Sequence, residues 1–121
     1  MPLIVRNTST PDQLLSDPSG KGEARMLKLD DQAVMYGRVG PGWRWSNDMR
    51  PLVGGVSCQF EHRGFCLGGQ LHVEMDDGTS ADITAGSAYV IPPGHDAWVV
   101  GDDDYVDVDW ATPIEFIGKT L

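Results

Sequence analysis

Along much of this chain apolar and polar positions alternate with a period of two, the spacing of side chains on a β-strand. Met26-Leu-Lys-Leu29 and Ala33-Val-Met-Tyr-Gly-Arg-Val39 read as strands joined by a turn at Asp30-Asp31. Gly40-Pro-Gly42 breaks the pattern before Trp43-Arg-Trp45, which as a strand carries both indoles on one face. Val53 to Phe60 is a further expected strand, and Phe65, Leu67, Leu71, Val73 and Met75 are expected to face a core. Asp76-Asp77-Gly78 is a hairpin turn, since glycine supplies the positive φ such turns require. Ala88 to Ile91 and Ala97 to Val100 flank a Pro92-Pro93-Gly94 corner. Tyr105 to Trp110 alternates strictly, with Val106, Val108 and Trp110 on one face and both aspartates on the other. About eight to ten short strands with almost no helical periodicity predict an all-β sandwich or barrel.

Residues 1–23 break this pattern. Asn7 to Pro11 and Ser16 to Gly22 are turn chemistry, and Asp12 to Ser16 has room for one helical turn at most. The organisation expected is an N-terminal extension or arm over 1–23 and one barrel over 24–121. Fifteen glycines and eight prolines spread along 121 residues suit many turns between short strands. The net charge of −9 repels nucleic acid and anionic membranes, so neither is an expected partner. No apolar stretch is long enough to span a bilayer, and Pro2 and Arg6 interrupt any signal-peptide core. The expected setting is the cytoplasm, where Cys58 and Cys66 remain free thiols.

Two segments concentrate the remaining chemistry. The first, Cys58 to Leu71, carries Cys58, Glu61, His62 and the Gly68-Gly69 pair; the second, Gly86 to Trp98, carries Pro92, Gly94 and His95. Together they resemble the two motifs of the cupin superfamily, H-x-H-x(3–4)-E-x(6)-G and G-x(5)-P-x-G-x-x-H-x(3)-N, in its small single-domain bacterial members. The resemblance covers roughly residues 33–110. It implies a double-stranded β-helix, or jelly-roll barrel, in which three histidines and a glutamate hold a divalent metal near one mouth. It also implies a homodimer, which would cap open sheet edges.

The likeness departs at the ligand positions. Gly86, Pro92 and Gly94 hold the second motif's spacing, but Ala97 stands at its histidine and Gly101 at its asparagine. His95 lies two residues early, which on a strand keeps it on the same face. With Gly69 as the first motif's glycine, Val56, Cys58 and His62 occupy the positions of His, His and Glu. With Gly68 instead, Glu61 takes the Glu position and both His positions fall on non-ligands. The Gly69 register is preferred, whereas simple strand parity favours Glu61 over His62 as inward-facing.

Cys58, His62 and His95 are therefore the candidate metal ligands, for one divalent Zn, Fe, Cu, Mn or Ni ion. The competing reading has the same three side chains filling the cavity without metal. A ligand pocket is expected from Trp43, Trp45, Val56, Cys58, Phe65 and Trp98, with Arg44 either clamping a carboxylate or facing solvent. His72 is expected to face away from the core. The expected function is small-molecule binding, of which sensing is one form, with or without a metal. The alternatives are a metal-dependent oxygenase, isomerase or lyase with His62 or Glu61 as general base, and a non-catalytic interaction barrel.

Overall fold

The structure, a computed structural model, describes residues 2–111. In chain order the elements are β1 (Gln13–Ser16), β2 (Gly22–Leu29), β3 (Gln32–Val39), α1 (Trp45–Asp48), α2 (Arg50–Val53), β4 (His62–Gly68), β5 (Gln70–Met75), β6 (Ser80–Thr84), β7 (Ala88–Ile91), β8 (His95–Val99) and β9 (Tyr105–Asp109). They form two antiparallel sheets, one ordered β1-β2-β3-β9-β4-β7 and the other β6-β5-β8. The all-β expectation holds.

Several local expectations do not. The allowance of one helical turn at most over Asp12 to Ser16 goes unused, because Gln13–Ser16 pairs in register with Glu23 to Met26 and becomes an edge of the larger sheet. The two indoles do not share a strand face: Trp45 opens the short helix α1, while Trp43 precedes it and packs against the core cluster. Val53 to Phe60 is not a strand. Val53 ends α2, and the chain then turns through Gly54 and Gly55, both at positive φ.

The largest correction concerns β4. Its inward residues are Gly64 and Cys66, leaving Phe65 and Leu67 outside, whereas Leu71 and Val73 of β5 face the core as expected. Parity breaks between the two strands. The β4–β9 register shifts between Cys66 and Gly68, and Gly69 follows with φ at 75°. A Cβ at Gly69 would meet the Asp104 carbonyl, so the site admits only glycine without rearrangement.

The core between the sheets is built from Leu71, Val73, Ile83, Ile91, Ala97 and Val99, with Cys66 and Tyr105. Burying each of the larger aliphatic side chains contributes about 1.5–3 kcal/mol. Beside this apolar region β9 brings Asp107 and Asp109 inward on the same parity as Tyr105, and Asp109 is fully buried. The Tyr89 hydroxyl donates to the Asp107 carboxylate. Burial pushes that carboxyl up to about 6, with Asp109 adding to the rise, while the Tyr89 hydrogen bond opposes it. Burial and the same carboxylate hold the Tyr89 and Tyr105 phenols protonated far above their ordinary range. No helix of the described residues is long and apolar enough to cross a membrane.

Candidate metal centre

Three side chains converge at the polar end of the interior, each placed by a different feature. Cys58 sits in the irregular segment before β4, where an isolated bridge ties it to the first residue of β8. The Cys58 amide donates to the His95 carbonyl at 2.7 Å, and the Gly94 amide donates to the Cys58 carbonyl at 2.7 Å. The positive φ of Gly94 turns the chain from the proline pair into β8, where His95 is buried opposite Met75 of β5. His62 opens β4 opposite Ile91, its imidazole turned inward.

The ligand atoms of Cys58, His62 and His95 all lie within 4.8 Å of one another. Cys58 Sγ is 3.9 Å from His62 Nε2. In a tetrahedral zinc site with bonds of about 2.3 Å to sulfur and 2.0 Å to nitrogen, the sulfur-to-nitrogen separation is about 3.5 Å. The three groups thus stand close to coordination spacing. The two imidazoles meet edge to face, with ring centroids 5.2 Å apart.

The outer nitrogens decide how the rings are used. His62 Nδ1 is 2.7 Å from Asp109 Oδ2, and His95 Nδ1 donates to the Pro92 carbonyl at 2.8 Å. A carbonyl only accepts, so His95 carries its proton on Nδ1 and keeps the Nε2 lone pair free. A carboxylate imposes the same tautomer on a neutral His62. Both rings therefore have the outer-shell partner that metal-ligating histidines use, and both leave Nε2 for the centre.

The electrostatics suit a thiolate. Burial alone would raise the Cys58 thiol, but the neighbouring His62 and His95 rings and the Phe60 amide outweigh it and bring the group down to about 6. Burial would lower His62, but Asp109 and Cys58 together raise it to about 9. In the metal-free protein the two form a thiolate–imidazolium pair near neutral pH. A divalent cation bound here would be held by the Cys58 thiolate and by the Nε2 atoms of His95 and of a deprotonated His62.

The structure settles which carboxylate or imidazole faces inward: His62 does, while Glu61 lies outside and accepts from Arg63 at 3.2 Å. Parity had favoured Glu61, but residues 54–61 are not a strand, so counting along them has no force. Val56 is 89 % exposed and belongs to no pocket. Phe65 stands on the outer face of the larger sheet. Trp98 lies on the outer face of the smaller sheet, stacked between the Arg44 guanidinium at 4.3 Å and the His72 ring at 4.6 Å. Arg44 is held there by Asp96 at 3.2 Å, and His72, outside as expected, pairs with Asp82. Trp45 does line a cleft of about 210 Å³ with Val53, Ser57, Gln59 and Phe60, immediately beside Cys58 in the chain. Cys58 and Cys66 are both free thiols.

Asp109 was not singled out from sequence. The alternation of Tyr105 to Trp110 carried no signal for it, since it sets the aspartates opposite the apolar Val106, Val108 and Trp110 and so points them to water.

No family model matches the chain, and no curated protein matches it. Solved structures do. An uncharacterized conserved protein with a double-stranded β-helix domain from Klebsiella pneumoniae aligns with a TM-score of 0.55 at 17% identity, covering 78% of each chain. A cupin-like protein from Thermotoga maritima aligns at 0.54 and 16% identity, over 81% of this chain and 72% of that one. The fold is the cupin double-stranded β-helix. The FeII form of HppE shares it, with a TM-score of 0.63 at 9% identity over 91% of this chain and 60% of that one. At these identities the likeness to these proteins is one of fold alone. The ligand set is this chain's own: Cys58 and His62 in the first motif, and His95 two residues ahead of the position where Ala97 stands.

Proposed function

We propose that this cupin is a mononuclear metal-binding protein that takes a small organic ligand at its centre, with Cys58, His62 and His95 as the protein ligands. The observation that carries the reading is the pair of engaged Nδ1 atoms. Asp109 and the Pro92 carbonyl occupy the outer side of each ring, so both Nε2 atoms and the Cys58 sulfur are turned to one point. One sulfur and two imidazole nitrogens suit zinc best among common divalent ions, and also admit iron or copper. Three protein ligands leave at least one position open, which distinguishes this arrangement from a closed four-ligand structural site.

A bound divalent ion supplies Lewis acidity at that open position. The protein's own residues do the rest. Asp109 holds the proton on His62 Nδ1, Pro92 fixes the orientation of His95, and the Phe60 amide stabilises the Cys58 thiolate. The cleft beside Trp45, Ser57 and Gln59 is the apolar and hydrogen-bonding space nearest to Cys58 in the chain, and we assign the organic part of the ligand to it. Gln59 donates to Ser57 Oγ, which donates in turn to Asp76, so its polar wall is ordered in advance.

The open position also supports a second reading, a metal-dependent enzyme acting on a small metabolite. The test of the first reading is elemental analysis of the purified chain, followed by zinc titration of the wild type and of Cys58→Ser and His95→Ala. One metal per wild-type chain, lost in both variants, is the expected result. A chain that takes up far less than one equivalent, with no thermal shift on adding metal, returns the barrel to the filled, metal-free reading. Product formation or oxygen uptake by the metal-loaded chain on a metabolite panel separates enzyme from binder.

A further inference from the structure

The hairpin turn between β5 and β6 closes without the Asp76 side chain. The Met75 amide donates to the Thr79 carbonyl at 2.8 Å, and the Gly78 amide donates to the Met75 carbonyl at 2.9 Å. Asp77 completes the turn by accepting from the Thr79 amide at 2.9 Å. Asp76 is turned instead toward the two segments that carry Cys58 and His95. Its amide donates to the Gly94 carbonyl at 2.9 Å, and its Oδ2 accepts from the Ser57 hydroxyl at 2.8 Å. Gly94 gives the carboxylate room, since a Cβ there would stand 2.9 Å from Asp76 Oδ2. Ser57 is buried and receives the Gln59 amide on its oxygen at 3.0 Å, so its hydroxyl proton is left for Asp76.

We propose that Asp76 is a positioning residue of the centre: its carboxylate fixes the Cys58 segment against the corner that delivers His95. The proposal rests on the reading of Cys58, His62 and His95 as metal ligands. Cys58 lies outside every strand, and the backbone bonds of its bridge to His95 set how far apart the two ligands stand. Asp76 grips both sides of that bridge, through Ser57 on one side and Gly94 on the other. Without it the Ser57 hydroxyl is a buried donor with no acceptor, which the chain relieves by moving or by admitting water. Either response shifts the residue next to Cys58. Metal–ligand bonds hold to within about 0.2 Å, so a small shift of the thiolate relative to His95 costs affinity. Two carboxylates thus divide the work, Asp109 orienting His62 and Asp76 placing the other two ligands.

Zinc competition titration and amide hydrogen exchange on the full chain test this with Asp76→Ala, Ser57→Ala and the double variant. Each single variant is expected to weaken zinc binding about 10-fold, the low end for loss of outer-shell support. The double variant is expected to lose about 10-fold as well rather than ~100-fold, because both changes remove one tie. A residue needed only for the turn would cost as much with Ser57 replaced as with Ser57 present. Asp76→Asn keeps an acceptor oxygen for Ser57 and is expected within about twofold of wild type. In the metal-free chain the Cys58 and Gly94 amides, which close the bridge, are expected to exchange at least ~10-fold faster in Asp76→Ala, with the β4–β9 ladder unchanged. If Asp76→Ala misfolds, Ser57→Ala is read the same way. Zinc affinity within twofold of wild type in a folded Asp76→Ala, or additive losses in the double variant, overturns the proposal. A wild type that takes up no zinc fails the metal-binding reading itself; the exchange rates still decide Asp76, and unchanged rates at Cys58 and Gly94 overturn its role.

Discussion

Replacing Asp109 by Asn is the sharpest single perturbation of the centre, because it touches no metal ligand. Asp109 is fully buried and spends both carboxylate oxygens: Oδ2 faces His62 Nδ1 at 2.7 Å, and Oδ1 accepts from the Ala111 amide at 2.8 Å. An Asn side chain has one acceptor and one donor for these two places. If its oxygen keeps the Ala111 amide, its NH₂ meets His62 Nδ1 and demands the lone pair there, which moves the imidazole proton to Nε2. That tautomer cannot bind a metal. If its oxygen turns to His62 instead, the tautomer survives but the Ala111 amide faces another donor. The second arrangement leaves one buried donor unsatisfied, a cost of about 1–3 kcal/mol in stability, while the first satisfies both places at the expense of the metal-binding tautomer. Loss of an outer-shell partner of a metal-bound histidine typically costs 10–100-fold in affinity, or about 1.4–2.7 kcal/mol. A competition titration of zinc against a chromophoric chelator reads this directly, with circular dichroism confirming the fold. Zinc affinity within twofold of wild type in a folded Asp109→Asn would refute the outer-shell role and with it the assigned His62 tautomer.

Other outcomes follow from the same geometry. In the metal-free protein, ultraviolet absorbance of the Cys58 thiolate should titrate with a midpoint near 6, and His62→Ala should move it back toward the ordinary 9.0. The thiol's lowered value makes its stabilisation fade as pH falls through about 6, and the raised value of His62 makes its share fade as pH rises through about 9. The melting-temperature gap between metal-free wild type and Cys58→Ala should therefore be widest between those limits. Asp107 runs the other way: its carboxyl is raised to about 6, so the fold gains stability as pH drops through 6. Asp107→Asn, whose oxygen still accepts from Tyr89, should melt higher than wild type at pH 8, with the gap closed below the ordinary carboxylate range at 3.8. Trp98→Ala should leave zinc affinity within about twofold, since that ring stacks outside the barrel with Arg44 and His72 and substitutions away from a site change little. A tenfold loss would put Trp98 back in the pocket.

Much of the fold was legible because glycine, proline and period-two alternation are local signals. The Asp77-Gly78 turn, the Pro92-Pro93-Gly94 corner and the alternation of β2, β3, β5 and β9 all stand where the pattern placed them. The failures share a cause: the pattern says that residues alternate, but only register says which set is inside. In β4 a register shift and the positive φ of Gly69 reverse parity, putting Phe65 and Leu67 outside while Leu71 and Val73 stay in. In β9 the inward set includes Asp107 and Asp109, a polarity that makes sense only once His62 is known to be adjacent. For the centre, Cys58, His62 and His95 were identifiable as residue types at turn-flanking positions. Their convergence depends on the Cys58–His95 bridge, a contact between residues far apart in the chain, which local patterning does not encode. The Pro92 carbonyl could not be read at all, since backbone acceptors leave no mark in a sequence.

X-ray absorption on the zinc-loaded chain tests the central claim most directly. One sulfur scatterer at about 2.3 Å and two imidazole nitrogens at about 2.0 Å are expected, with the remaining position filled by a light atom. The sulfur shell should vanish in Cys58→Ser. A stoichiometric metal with no sulfur in its coordination sphere, or no stoichiometric metal at all, would contradict it.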